Sequence, residues 1–467
     1  MLEAFKYLAV IMFAWTCFWP RESGAVSYFV DSVNGDDAAG GTSPAAAWKT
    51  LGKVNSITFQ PGDQLLFQTG TTYVGQLSPK GSGAPNKPII IDKYGEGPLP
   101  VVAGEGALGL PGNAAVYLYN QEYWEIRNIE VTNFLDGNAD LKRGIYIAAE
   151  DYGAVHHIHL LNLVVHDVNG TLKTKDNGGI FFEVLGKAKQ TYFDDFLIEG
   201  CHVYETDRTG ISNTSSWWER TLSDNMEWIP SLNVVIRNNV IEKSGQNGVI
   251  VRCSKRPVIE YNIFKDNGAK GSGNAMFPFN CDDALIQFNE AYGTVYNPGD
   301  VDASGFDSDW QCKNSLFQFN YSHDNDHGFM VVCCMGGEGN FNDGTIVRYN
   351  ISQNDGGNVF RISGQTTNTC IYNNTVYVGD GMDTHIVWHK DWKTWPAATS
   401  YFNNVFYNLG TGNYDFGEST NNVFDYNLFY GNHPPLEPPD EHKITDDPEF
   451  TTPGNGAFGR DTLQGYK

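Results

Sequence analysis

Carboxylates crowd one stretch of the chain, DVDASGFDSDWQCKNSLFQFNYSHDND at residues 300–326. Asp300, Asp302, Asp307, Asp309, Asp324 and Asp326 share it with one lysine, Lys313. Asp307 and Asp309 stand two apart in a segment of β character, and alternation along a strand puts both side chains on one face. Two residues at about 3.3 Å each set their Cα atoms roughly 6.5–7 Å apart. Like charges that close, beside apolar neighbours, raise at least one pKa. One protonated acid and one ionised carboxylate is what glycoside hydrolysis requires, although Cα spacing does not separate retaining from inverting geometry. Aspartate is a poor strand former, so its appearance twice on one strand face points to use. The other four aspartates read as turn residues and His323 as a packing or turn-capping residue. Asp283, in NCDDA, is the candidate third carboxylate.

The strands that must carry this pair announce themselves as a series: GIYIAAE, GIFFEVL, GISNTSS, GVIVRCS, AMFPFNC, GFDSDWQ and GFMVVCC. Counting from the leading residue, offsets two and four are expected to point outward. They comprise Phe181 and Glu183, Ile250 and Arg252, Phe277 and Phe279, Asp307 and Asp309, and Met330 and Val332, among others. Two later strands, VFRIS and HIVWHKD, add Arg361 and His389. This outward list mixes aromatic faces suited to sugar rings with a few charges and one acid pair. The expected substrate contacts are Arg252, Phe277, Phe279, Arg361, His389, Glu183 and Trp217. Trp217 belongs to a long loop at residues 214–230 expected to wall the groove.

A second periodicity holds the strands in order. A β run, an asparagine and another β run recur as IRNIEV, LLNLVV, IRNNVIE, EYNIFK, QFNEAY, QFNYSH, RYNISQ, YNNTVY, FNNVFY and DYNLFY. The shared asparagines run from Asn128 and Asn162 through Asn239, Asn262, Asn289, Asn320, Asn350, Asn374 and Asn404 to Asn427, and IEGCHVY puts Cys201 in the same slot. Asparagine tolerates left-handed backbone at a tight turn, and stacked amides can bond one another from coil to coil. The repeat is the signature of a solenoid.

Composition agrees and narrows the function. The 467 residues are 41% hydrophobic, enough for a core. The 55 acidic residues against 31 basic give a formal charge of −24, which argues against nucleic acid or an anionic membrane as the partner. Residues 1–25 read as a signal peptide: Lys6 precedes an apolar run too short to span a bilayer, and Ser23, Gly24 and Ala25 offer small residues for cleavage. Export follows as the expectation, with seven cysteines after cleavage and no CxxC pair for zinc.

The repeats resemble those of right-handed parallel β-helix proteins, the fold of pectate lyases, polygalacturonases and other secreted polysaccharide enzymes. The opening YFVDSVNGDDAAGGTSPAAAWKTLGKVNSITFQPGD and the closing ITDDPEF are similar to that family's ends. The resemblance implies an all-β solenoid of about 11 or more coils. It divides into an N-terminal cap and first coils over 26–110, a β-helix over 111–430 and a closing segment over 431–467 that is expected to be truncated. It also implies that the Gly-led strands floor a substrate groove. ASGFDSD is similar to a lyase pattern but lacks its aspartate, replaced by Ser304, and its lysine, replaced by Asp309. The polygalacturonase motifs are likewise incomplete. The leading expectation is a secreted, monomeric glycoside hydrolase without a cofactor, acting on a polysaccharide or oligosaccharide. A calcium-assisted lyase or an epimerase, and a non-catalytic carbohydrate-binding β-helix, stand as alternatives.

Overall fold

The computed structural model describes residues 24–435 and 437–467, so most of the expected signal peptide lies outside the described residues. Three long sheets of 15, 13 and 11 strands run the length of the molecule. One coil visits each in turn: Ala154–Leu161 in the 15-stranded sheet, Val164–Val168 in the 13-stranded sheet and Gly178–Leu185 in the 11-stranded sheet. The next coil repeats the path with Tyr192–Glu199, His202–Thr206 and Thr209–Ser215, and each strand pairs parallel to its predecessor. This is a parallel β-helix.

The core follows from strand alternation. Ile180, Phe182 and Val184 turn inward and are buried, while Phe181 and Glu183 point out from the same strand. Each fully buried Ile, Val or Phe contributes roughly 1.5–3 kcal/mol, so the stacked interior is the main source of stability. At the N-terminal end a short helix, Leu51–Asn55, is capped by Thr50, whose side chain accepts from the Lys53 amide. Its Leu51 and Val54 are buried against the same interior.

The asparagine ladder is present with one refinement. From Asn239 to Asn427, eight asparagines are linked amide to amide; Asn289 donates to Asn320 at 3.0 Å, and Asn320 to Asn350 at 3.0 Å. Cys201 joins through its backbone, donating to Asn239 Oδ1 at 2.8 Å, and Asp440 closes the far end by accepting from Asn427 at 2.9 Å. The left-handed residue is the one before each rung: Tyr261, Phe288, Phe319 and Tyr349 have φ between 55 and 56°. Asn128 and Asn162 take that left-handed position instead (φ 49 and 53°), so buried Ile129 and Leu163 occupy the rung there.

The 11-stranded sheet also departs from the simple Gly-led frame at one place. Asp307 pairs in register with Val331, and Val331 with Arg361. Met330 and Val332, expected outward, therefore turn into the core, and Val331 and Cys333 face out. A slip of one residue exchanges the two faces of a strand.

Candidate active site

The strand Phe306–Ser308 lies between Met276–Phe279 and Met330–Cys334 on the outer face of the 11-stranded sheet. Asp307 and Asp309 project to the same side, and the Cys333 thiol reaches both, 3.6 Å from Asp307 Oδ1 and 3.4 Å from Asp309 Oδ1. Asn274 donates to Asp307 Oδ2 at 3.0 Å. The Trp310 amide donates to Asp309 at 2.7 Å. The two acids differ in access: Asp307 is 3% exposed, whereas Asp309 is partly open to a cavity of about 370 Å³. Burial holds the Asp307 carboxyl well above the ordinary carboxylate range, with Asp309 and Asp302 adding to the effect. Burial raises Asp309 too, but the Lys175 ammonium pulls it back toward the ionised form.

A third carboxylate joins them, one that turn chemistry had assigned to structure. Asp302 lines the same cavity, its side chain 36% exposed, and accepts from Arg361 Nη2 at 2.9 Å. Arg361 also bonds the Val301 carbonyl. Asn274 Oδ1 accepts from the amides of Ala303 and Ser304 at 3.2 and 3.0 Å, so one side chain fixes both Asp307 and the loop that presents Asp302. Ala303 has φ 142°, a costly backbone state for a residue with a side chain. The available signal was position: residues 300–304 immediately precede a groove strand, and loops entering such a strand line the groove.

Lys175 connects this cavity to a second of about 400 Å³, which is also lined by Trp218, Arg252, Phe279 and Trp310. Its ammonium lies 5.0 Å from the centre of the Phe277 ring, and burial lowers its pKa against the opposing pull of Asp309. Arg252 is held by the Asn213 carbonyl at 3.1 Å and by Asp176 at 3.8 Å. The loop over 214–230 is pinned to the solenoid by buried Arg220, which bonds Asp282 at 2.6 Å and stacks on Trp228.

The remaining sequence candidates fall elsewhere. Asp283 is exposed in the turn before Leu285–Gln287, bonded by Asn314 at 3.2 Å, and is not brought to the acid pair. Trp217 is 8% exposed and packs in the core; its neighbour Trp218 is the ring on the groove. His389 points inward to the Tyr401 hydroxyl (2.9 Å) and Ser419 (2.8 Å), and burial lowers its pKa to about 3. Lys390, one residue on, faces the cavity in its place. Phe277 is 2% exposed beneath Lys175, and Glu183 is bonded to Tyr146 at 2.5 Å several strands toward the N-terminus. His323 is buried in the 13-stranded sheet between Glu290 and Asp324.

Asp307, Asp309 and Cys333 offer ligand atoms within 4.8 Å of one another. Calcium takes six to eight oxygens, so a thiol in this set is a poor fit for it. The cysteines at 201, 253, 281, 312, 333, 334 and 370 are all free. Among the described residues no helix is long and apolar enough to cross a membrane.

No protein-family model matches the chain. A lacto-N-biosidase of Bifidobacterium longum subsp. longum is 28% identical over 474 aligned positions, covering 83% of this chain and 29% of that protein. The chain thus spans less than a third of that relative's length. Two crystal structures of the GH136 lacto-N-biosidase from Eubacterium ramulus superpose with TM-scores of 0.70 and 0.67. They are 25% and 26% identical, and the matches cover 86% and 81% of this chain and 67% of each solved chain. A complex of XylC with xylose shares the fold, with a TM-score of 0.52 at 12% identity over 93% of this chain and 88% of that one. The stacked sheets and these likenesses together identify the chain as a parallel β-helix of the kind found in polysaccharide-degrading enzymes, similar to GH136 lacto-N-biosidases.

Proposed function

We propose that the chain is an exported glycoside hydrolase of the lacto-N-biosidase type, cleaving a glycosidic bond in an oligosaccharide held across the two cavities joined at Lys175. The observation that carries this reading is the convergence of Asp302, Asp307 and Asp309 on one aromatic-walled groove. A reacting carboxyl has to touch the sugar. All three line the cavity, but Asp309 and Asp302 are partly exposed, whereas Asp307 is 3% exposed and held by Asn274 and Cys333. Asp309, with Lys175 favouring its ionised form, is the carboxylate placed to attack or to stabilise positive charge at the anomeric carbon. Asp302, held at the mouth by Arg361, is placed to exchange a proton with the glycosidic oxygen. Asp307 serves as a positioning residue, neutral behind the pair. Trp218, Phe279 and Trp310 offer ring faces to sugar.

The hydrophobic leader at residues 1–25 supports export. The hydrolase reading calls for no cofactor. Lys175 favours one second reading, since a lysine of lowered pKa beside carboxylates is also suited to abstracting a proton in an elimination. Incubating the protein with neutral and acidic oligosaccharides, and following reducing ends and ultraviolet absorbance together, separates the two. The hydrolase yields reducing ends without new absorbance, with or without a chelator. Absorbing, unsaturated products would replace this reading with the lyase.

A further inference from the structure

A second cluster of ionisable side chains lies away from the groove, on the outer face of the 15-stranded sheet. Three adjacent strands, Trp124–Arg127, Ala154–Leu161 and Tyr192–Glu199, bring together Glu125, His157, His159 and Asp195. His159 stands beside Glu125 in register. His157 and Asp195 are both left-handed (φ 53 and 68°), and each is the unpaired residue between the paired positions His156↔Asp194 and Ile158↔Phe196. The left-handed backbone at both positions interrupts the pleat without shifting the register, and His157 lies against His159 with ring centres 3.8 Å apart.

The hydrogen bonds within the cluster do not close with a neutral ring. His157 Nδ1 is 2.8 Å from Asp195 Oδ2 and His157 Nε2 is 3.0 Å from Glu125 Oε1, yet a neutral imidazole carries a single N–H. If Nδ1–H donates to Asp195, Nε2 presents a lone pair to a carboxylate oxygen. A carboxylate that fixes the tautomer of a histidine in this way is the usual support behind a metal ligand. Ligand atoms of Glu125, His157 and His159 lie within 4.8 Å of one another. Asp195 Oδ1 is also 2.9 Å from His159 Nε2, and Arg127 meets the second oxygen of Glu125. A cavity of about 480 Å³, lined by Tyr123, His156 and Asp194 among others, opens onto Glu125 and His157 and gives access.

We infer that Glu125, His157 and His159 bind a divalent transition cation of the zinc class, with Asp195 orienting His157. Two imidazoles and one carboxylate suit zinc, cobalt or nickel, whereas calcium and magnesium call for oxygen ligands throughout. Three protein ligands leave a fourth position facing the cavity.

The test uses the full chain without a histidine tag, stripped with chelator and titrated with Zn²⁺ by calorimetry and with Co²⁺ by visible absorption. The expected result is one saturable ion per chain, with the Co²⁺ spectrum of a four-coordinate, imidazole-ligated site. His157→Gln and His159→Gln each weaken binding at least tenfold, while His156→Gln and Asp309→Asn bind as the native chain does. Should either glutamine variant misfold, the native Co²⁺ spectrum decides alone: an octahedral, water-like spectrum overturns the site. Binding that is absent, or unchanged in both glutamine variants, also overturns it and leaves His157 as a protonated bridge between two carboxylates.

Discussion

At the residue scale, burial treats the three groove aspartates unequally: Asp307 is enclosed, while Asp309 and Asp302 stay partly open. Because burial raises Asp309, the acidic limb of the kcat/KM profile is expected above the ordinary carboxylate range. A pH–rate profile on a cleaved oligosaccharide checks this, and a limb at pH 4 or below contradicts it. Trp218, 47% exposed on the groove, is expected to bind rather than react. Trp218→Ala should raise KM about tenfold, worth about 1.4 kcal/mol, with kcat little changed. Steady-state kinetics on the same substrate reads that split. The site was partly legible in the sequence. Strand alternation alone put Asp307 and Asp309 on one face, and it put Arg252, Phe279 and Arg361 around them. His389 went astray because it is one residue from the outward position, and period-two alternation gives opposite faces to neighbours. Trp217 lies in a loop beyond the strand Thr209–Ser215, where no alternation tells which of two adjacent tryptophans turns inward. Asp302 escaped notice because its place depends on a loop anchored by Asn274, thirty residues earlier in the chain.

At the scale of the element, the ladder converts a turn motif into continuous structure. Asn320 donates to the Ile286 carbonyl and to Asn350, and its oxygen accepts from the side chain and backbone of Asn289. Asn320→Ala leaves several of these groups buried and unpaired, so a loss of about 2–5 kcal/mol is expected, read as a lowered denaturation midpoint. The recurrent asparagines made the ladder legible in the sequence, but not every rung, because Asn128 and Asn162 match the pattern while standing one residue short of it. His323 holds a comparable position in the 13-stranded sheet. Burial disfavours its charge, yet bonds to Asp324 and Glu290 outweigh that and raise its pKa to about 9. The raised value means that its contribution, ~3 kcal/mol, is complete below about pH 6.5 and fades as pH rises through 9. Unfolding measured from pH 6 to 10 should show this loss, and His323→Gln should remove most of the slope.

At the scale of the molecule, the acid-lined groove and the C-terminal segment occupy different faces of one solenoid. The C-terminal segment runs back over the 13-stranded sheet. Gly459 donates to Glu290 at 2.8 Å, Gly456 and Tyr466 to Gln353 at 2.9 Å each, and Arg460 lies over the rings of Tyr261 and Phe288. The acid cluster sits on the 11-stranded sheet, so removing residues 450–467 is expected to lower the thermal midpoint by several degrees and leave kcat/KM within twofold. In the proposed arrangement Asp302 and Asp309 meet the sugar while Asp307 supports them from behind as a neutral group. The most direct measurement is kcat for Asp302→Asn, Asp309→Asn and Asp307→Asn on one cleaved oligosaccharide. The account predicts losses of roughly 10³-fold or more in the first two and less than about tenfold in the third, where the amide replaces an uncharged carboxyl. Near-native turnover in Asp302→Asn, together with abolition in Asp307→Asn, would contradict it and return the reaction to the strand pair.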